Sequence, residues 1–161
     1  MCGTPGTVTG PGLPAGPEPR SAAGGAFRFY LAAEAHPGAV PHARRAARNT
    51  LTTWRLGHIA DDVELVVSEL VTNAVQATQA AAPVVQVVAV YLALDLDRLF
   101  VLVWDCCPQP PVHRGHAGDD AETGRGLEIV SAVADRWGTV TIEGGKVIWA
   151  QLALTGREAV S

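Results

Sequence analysis

The sequence has few cysteines and little charge for its length. Only three of its 161 residues are cysteine, and charged residues make up 17% of the chain. Cys106 and Cys107 are adjacent, and neighbouring cysteines rarely bridge each other, while Cys2 falls in a segment rich in Gly and Pro. These positions indicate no disulfide framework, so they favour a reducing, cytoplasmic location.

The sequence also lacks a membrane span, a signal peptide and a basic surface. Its longest strongly apolar run, residues 83–94, is too short to cross a bilayer as a helix, and no basic region followed by an apolar one opens the chain. The formal net charge is −4, whereas phosphate binding requires clustered Lys and Arg. Arg44, Arg45 and Arg48 share one predicted helix, where we interpret them as a solvated face. We therefore expect neither a membrane nor a nucleic acid as a direct partner.

Composition divides the chain into one domain and two tails. Gly, Pro, Ala and Thr dominate residues 1–25, which cannot bury enough apolar surface to offset their ordering entropy. We predict a flexible tail there, a single domain over residues 26–155, and a C-terminal tail over residues 156–161.

Hydrophobic periodicity predicts the element order β-α-α-β-β-α-β-β, with a long loop at 106–123 before the third helix. Gly57 is expected to end the first helix and Gly138 the third. The order predicts an α+β fold, a two-layer α/β sandwich with helices on one face of a mostly antiparallel mixed sheet. The predicted helices are 40–54, 60–79 and 124–136, and the predicted strands are 27–33, 84–94, 99–104, 139–143 and 146–154.

Glu69 and Asn73 lie four residues apart in the second predicted helix, at the border of its apolar stripe. Their side chains lean toward the same point in space. A carboxylate can act as a general base, and an amide oxygen can bind a hard cation such as Mg²⁺. For the pair taken alone we favour a polar edge of an amphipathic helix, because Glu is a good helix former.

Two further places hold polar or flexible residues that packing does not require. Asp105 follows an apolar strand, where it can accept a hydrogen bond from a ligand amine or simply start a turn. Gly124 and Gly126 flank Arg125 where a helix begins, so backbone N–H groups there can approach an anion, and Arg125 can add a phosphate contact. A flexible joint between loop and helix is the alternative.

A zinc site formed by Cys106, Cys107, His113 and His116 is a rival interpretation of the long loop. Cys and His can bind zinc, but adjacent cysteines seldom both bind one metal ion. We therefore favour loop thiols over a zinc site.

The order of these parts resembles that of the GHKL ATPases, the superfamily of gyrase, the heat-shock-ninety chaperones and histidine kinases. ELVVSELVTNAVQA at 64–77 is similar to their N-box, WDCCP at 104–108 stands at their first glycine box, and TGRGLEIV at 123–130 resembles their second. The closing VIWAQLAL resembles their last strand. The most similar branch is that of the actinobacterial relatives of the anti-sigma-factor serine kinases. The resemblance implies the Bergerat-type ATP-binding fold, with ATP and Mg²⁺ as cofactors.

The resemblance also implies a role for each candidate residue. Glu69 matches the family's general base, and Asn73 matches the ligand of the Mg²⁺ ion that bridges the phosphates. Asp105 matches the carboxylate that accepts the adenine amino group. Gly124 and Gly126 match lid glycines that wrap the phosphates. Arg125 and Leu127 accompany these glycines.

The implied function is that of an ATP-dependent serine/threonine kinase that controls transcription by partner switching. Such a protein binds a sigma factor, phosphorylates an anti-sigma antagonist, and in this branch often forms a homodimer. The first glycine box usually reads D-x-G-x-G, whereas Cys106 to Gln109 follow Asp105 here. Lys146 and Val147 stand where relatives often have Thr. These departures keep two alternatives open, a catalytically inactive nucleotide-binding module and an ATPase whose nucleotide state controls dimerisation.

Overall fold

A computed structural model describes residues 28–81, 86–109 and 122–155 of the protein. A short 3-10 helix, Gly57–Ile59, precedes the second α-helix within these ranges. The α-helices are α1 (Ala39–Thr53), α2 (Ala60–Ala81) and α3 (Glu122–Val133), and the strands are β1 (Arg28–Glu34), β2 (Val87–Asp95), β3 (Arg98–Asp105), β4 (Arg136–Ile142) and β5 (Gly145–Ala153).

The five strands form one sheet in the order β1-β2-β3-β5-β4, with every neighbouring pair antiparallel. The predicted hairpin of β2 and β3 is confirmed, and β3 occupies the centre of the sheet. The helices supply the second layer, because α1 packs on α2, and α2 packs on α3 and on β3. The predicted two-layer α+β class is therefore confirmed, and the described part of the sheet is antiparallel throughout.

The core lies between the sheet and α2. Apolar residues recur at three- and four-residue spacing along α2, so Val63, Val67, Leu70 and Ala74 form a fully buried stripe. Alternation along a strand places every second residue on one face. The buried residues on the inner face of the sheet pack against the α2 stripe in one cluster. On β3 and β5 these residues are Leu99, Val101, Val103, Ile148, Ala150 and Leu152.

The first helix ends earlier than the glycine pattern predicts. Arg55, not Gly57, adopts the left-handed conformation after the helix, with φ of 60°. The N–H of Leu56 donates to the carbonyl of Leu51, and the N–H of Arg55 donates to that of Thr52. This pair of bonds is a Schellman motif, and Leu56 is partly buried against the hydrophobic core.

The third helix also ends before its predicted glycine. Gly138 is the third residue of β4, and a bend at Asp135 precedes the strand. A Cβ atom at Gly138 would lie 3.0 Å from the indole ring of Trp149 on β5. Glycine is therefore present at this position because the Trp149 ring lies across the strand, and it gives no signal for a helix end.

Several predicted features fall outside the described residues. They are the tail at 1–25, the C-terminal tail at 156–161, and the part of the long loop that contains His113 and His116. Among the helices that the structure does describe, none is long and apolar enough to cross a membrane.

Candidate functional site

The second half of α2 carries the two candidate polar residues at the edge of the core. Glu69 and Asn73 are both half-buried, as their border position on the helix predicts. The Nδ2 atom of Asn73 is fully buried and has no hydrogen-bond partner among the described residues. An unpaired buried amide costs stability unless another group supplies its partner, which makes this side chain a candidate for ligand contact.

The second turn of α3 lies against Glu69. The helix begins at Glu122, two residues before the predicted start at Gly124, so both glycines lie inside it. A Cβ atom at Gly126 would come within 2.6 Å of Glu69 Oε2, so the glycine allows the carboxylate to approach the helix backbone. Gly126 and Leu127 are buried, Arg125 is exposed, and Gly124 lies in the same helix. The structure thus brings the candidate base and the second glycine motif together, while Leu127 contributes to the hydrophobic core.

Asp105 ends the inward-facing row of β3 on the face of the sheet that α2 covers. Its side chain is buried, and its Oδ1 atom accepts hydrogen bonds from the N–H of Cys107 and from the ammonium of Lys146, both at 2.8 Å. Its Oδ2 atom is buried without a partner among the described residues. One half of the carboxylate is therefore held by the protein, and the other half remains available as an acceptor.

Lys146 is the residue of this site that sequence reasoning did not assign. It is the only lysine in the sequence, and its side chain is 2% exposed. Its Cα atom pairs with that of Asp105 across β3 and β5, and Nζ donates to the backbone carbonyl of Cys107 at 3.0 Å as well as to Asp105. The signal was its position two residues before Ile148, in an alternating row of apolar residues that face the core.

Burial controls the charge state of Asp105. Removal from water raises the pKa of its carboxyl, and the ammonium of Lys146 and the N–H of Cys107 only partly oppose that rise. A carboxyl with a raised pKa, beside a specific cation in the interior, is typical of a functional site, although structural ion pairs show the same property.

The turn after β3 has two buried cysteines, Cys106 and Cys107, in place of the first glycine motif. Cys107 donates to Asp105 and accepts from Lys146 through its backbone, so the turn is closed by hydrogen bonds and needs no glycine flexibility. Gly145 supports this arrangement, since a Cβ atom there would collide with the backbone carbonyl of Asp105. Among the residues that the structure covers, no cluster of His, Cys, Asp or Glu is suited to a metal ion.

Comparisons with known proteins agree with this architecture. No curated protein matches the chain. The crystal structure of the RsbU and RsbW domains of Rv1364c from Mycobacterium tuberculosis is similar, with 23% identity and a TM-score of 0.56. The similarity covers 78% of this chain and 32% of that chain, so it supports the fold. A model of the histidine kinase-like ATPase domain matches residues 33–152. Because this match covers most of the sequence, the chain belongs to the histidine kinase-like ATPase family.

Proposed function

We propose that this protein binds ATP with Mg²⁺ and transfers the γ-phosphoryl group to a serine or threonine of an anti-sigma antagonist, in partner-switching control of a sigma factor. The observation that carries the proposal is the contact between Glu69 and Gly126. Gly126 is the fifth residue of α3, so this candidate base lies close to the first turn of the helix, whose free N–H groups are suited to phosphate. The protein partners are proposed from the resemblance to anti-sigma-factor kinases.

The buried atoms without partners fit such a ligand. Asp105 Oδ2 is an acceptor, as the amino group of adenine requires, and Asn73 Nδ2 is a donor, as a phosphate oxygen requires. The oxygen of the same Asn73 amide is of the kind that Mg²⁺ binds. When bound, ATP supplies the phosphoryl group and Mg²⁺ neutralises part of its charge.

The remaining work belongs to the chain's own residues. Asp105 would accept the amino group of adenine, Asn73 would hold the cation, and the backbone of Gly124 and Gly126 would contact the phosphates. Glu69 accepts the proton of the attacking hydroxyl or orients it. Catalysis of this kind comes mainly from positioning and charge neutralisation.

A non-catalytic binding module is the second candidate function. The observation in its favour is the ammonium of Lys146, which already occupies one oxygen of Asp105, together with the cysteine turn in place of the glycine motif. A protein of this kind would retain the fold and the nucleotide, and it would act by holding a partner rather than by phosphorylating one.

Phosphoryl transfer to a candidate antagonist, followed with γ-labelled ATP, distinguishes these functions. We expect transfer in the wild type, a loss of at least about a hundredfold in Glu69→Ala, and no change in Glu128→Ala, an exposed carboxylate on α3. Unchanged transfer in Glu69→Ala would remove the role assigned to Glu69. Tight nucleotide binding without transfer supports the binding module, and hydrolysis that depends on protein concentration supports the dimerising ATPase.

A further inference from the structure

Lys146 has one hydrogen-bond donor more than the described protein uses. An ammonium group carries three N–H donors and no acceptor. Among the described residues, two of these donors reach Asp105 Oδ1 and the carbonyl of Cys107. The third is left beside a carboxylate whose Oδ2 atom is itself without a partner. A free donor and a free acceptor are thus carried by two groups in direct contact.

This pairing costs stability in the protein alone. A buried ammonium and a buried carboxylate each lose their hydration, and that loss is recovered only when their remaining hydrogen bonds are made. Apart from five histidines, the other basic residues of the sequence are all arginine. Lysine differs from arginine in that it is a compact charge with freely rotating donors, which can serve two protein acceptors and one ligand acceptor at once.

We infer that Lys146 reads the base of the bound nucleotide, donating its third N–H to the ring nitrogen that flanks the 6-amino group of adenine while Asp105 Oδ2 accepts from that amino group. The inference rests on the proposed binding of ATP at this site. Adenine presents an amine donor next to a ring-nitrogen acceptor on either side, at N1 and at N7. The Asp105–Lys146 pair presents the complementary acceptor and donor.

Binding of modified nucleotides tests this contact by titration calorimetry. The ligands are ATP, 1-deaza-ATP and 7-deaza-ATP, which each lack one ring nitrogen, and purine riboside triphosphate, which lacks the amine. We expect one deaza analogue to bind the wild type about tenfold to a hundredfold more weakly than ATP, because it leaves a buried N–H unpaired. The analogue that is affected identifies N1 or N7 as the acceptor.

Lys146→Met supplies the matching variant. In this protein the same deaza analogue should bind within about threefold of ATP, because no donor remains to be left unpaired. The preference for ATP over purine riboside triphosphate should persist, since Asp105 still reads the amine, and its persistence shows that the site has formed. An equal loss of affinity for the deaza analogue in both proteins would overturn the inference, as would the absence of any such loss in the wild type.

A spectroscopic measurement on the wild type makes the test independent of the variant's folding. Protein labelled with ¹⁵N-lysine has one side-chain ammonium signal, because Lys146 is the only lysine in the sequence. We expect this signal to shift with ATP and to shift much less with the discriminated deaza analogue. Equal shifts with both would contradict the inference. If ATP itself does not bind, both the proposed function and the inference fail. If ATP binds but the deaza analogues bind equally well, only the role of Lys146 fails.

Discussion

The polar residues in the two halves of α2 have different surroundings. In the first half, Asp61 and Glu64 are both engaged by Arg48 of α1, and Arg44 approaches Glu64 at 3.6 Å. The side chains of Arg48 and Asp61 are 48% and 92% exposed, whereas the side chain of Glu64 is 15% exposed. In the second half, the polar side chains reach the core border, and the amide nitrogen of Asn73 is buried without a partner among the described residues.

The contrast separates a structural contact from a binding site. Exposed ion pairs contribute little to stability and are screened by salt, so the first half joins α1 to α2 without strict geometry. Unsatisfied buried groups oppose folding, and native proteins retain them mainly where strain, a ligand or water explains them. We therefore propose that the second half of α2, the end of β3 and the start of β5 form the binding region.

The largest expected effect is on the buried ion pair. Lys146→Met leaves the Asp105 carboxylate in the interior without its cation, so the free energy of unfolding should fall by about 3–5 kcal/mol in urea titrations. The double variant Asp105→Leu with Lys146→Met removes both charges and should recover most of that loss, while it abolishes nucleotide binding. A double variant less stable than Lys146→Met would contradict this account of the pair.

The loss of stability in Lys146→Met should depend on pH. The pKa of Asp105 is already raised in the folded protein, and removal of the ammonium raises it further because the lysine opposed that rise. When the pKa of a carboxyl is higher in the folded state than in the unfolded state, its contribution to stability is fully present below the pKa of the unfolded state. That contribution is lost as pH rises through the pKa of the folded state. The gap between wild type and variant should therefore be smaller near pH 4 than near pH 8. A gap independent of pH would show that the carboxylate is not responsible.

Gly126→Ala should separate chemistry from stability. The new Cβ would displace the Glu69 carboxylate, which lies at the far end of a flexible side chain, while alanine favours the helix. We expect a free energy of unfolding within about 1 kcal/mol of the wild type and phosphoryl transfer reduced at least about tenfold. Glu128→Ala, at an exposed position on the same helix, is the control for helix propensity. Full transfer activity in Gly126→Ala would show that the position of Glu69 is unimportant.

The smallest effect is expected in the first half of α2. Arg48→Ala removes the ion pairs with Asp61 and Glu64, but Arg44 remains 3.6 Å from Glu64, so the urea midpoint should fall only slightly. The difference should shrink in about 1 M NaCl, where the Debye length is short. Nucleotide affinity should be unchanged. A large loss of stability in high salt would show that the two halves of α2 are not as different as the structure indicates.

Sequence patterns predicted the order of the elements, the central β2–β3 hairpin and the border position of Glu69 and Asn73, because these follow from local periodicity. They did not predict the Schellman motif at Arg55, which depends on one hydrophobic contact, or the strand position of Gly138, which depends on Trp149 across the sheet. The role of Lys146 was also missed. Alternation placed it on the inner face, but its partner lies 41 residues away and depends on strand register.

The central claim is that Asn73 and its neighbours bind Mg-ATP, and thermal unfolding of the wild type and Asn73→Ala with and without Mg-ATP tests it most directly. Without ligand, the variant should be as stable as the wild type, because it loses an amide nitrogen that has no partner. With ligand, only the wild type and the exposed control Gln76→Ala should gain stability by mass action. An equal gain in Asn73→Ala, or none in the wild type, would contradict the account.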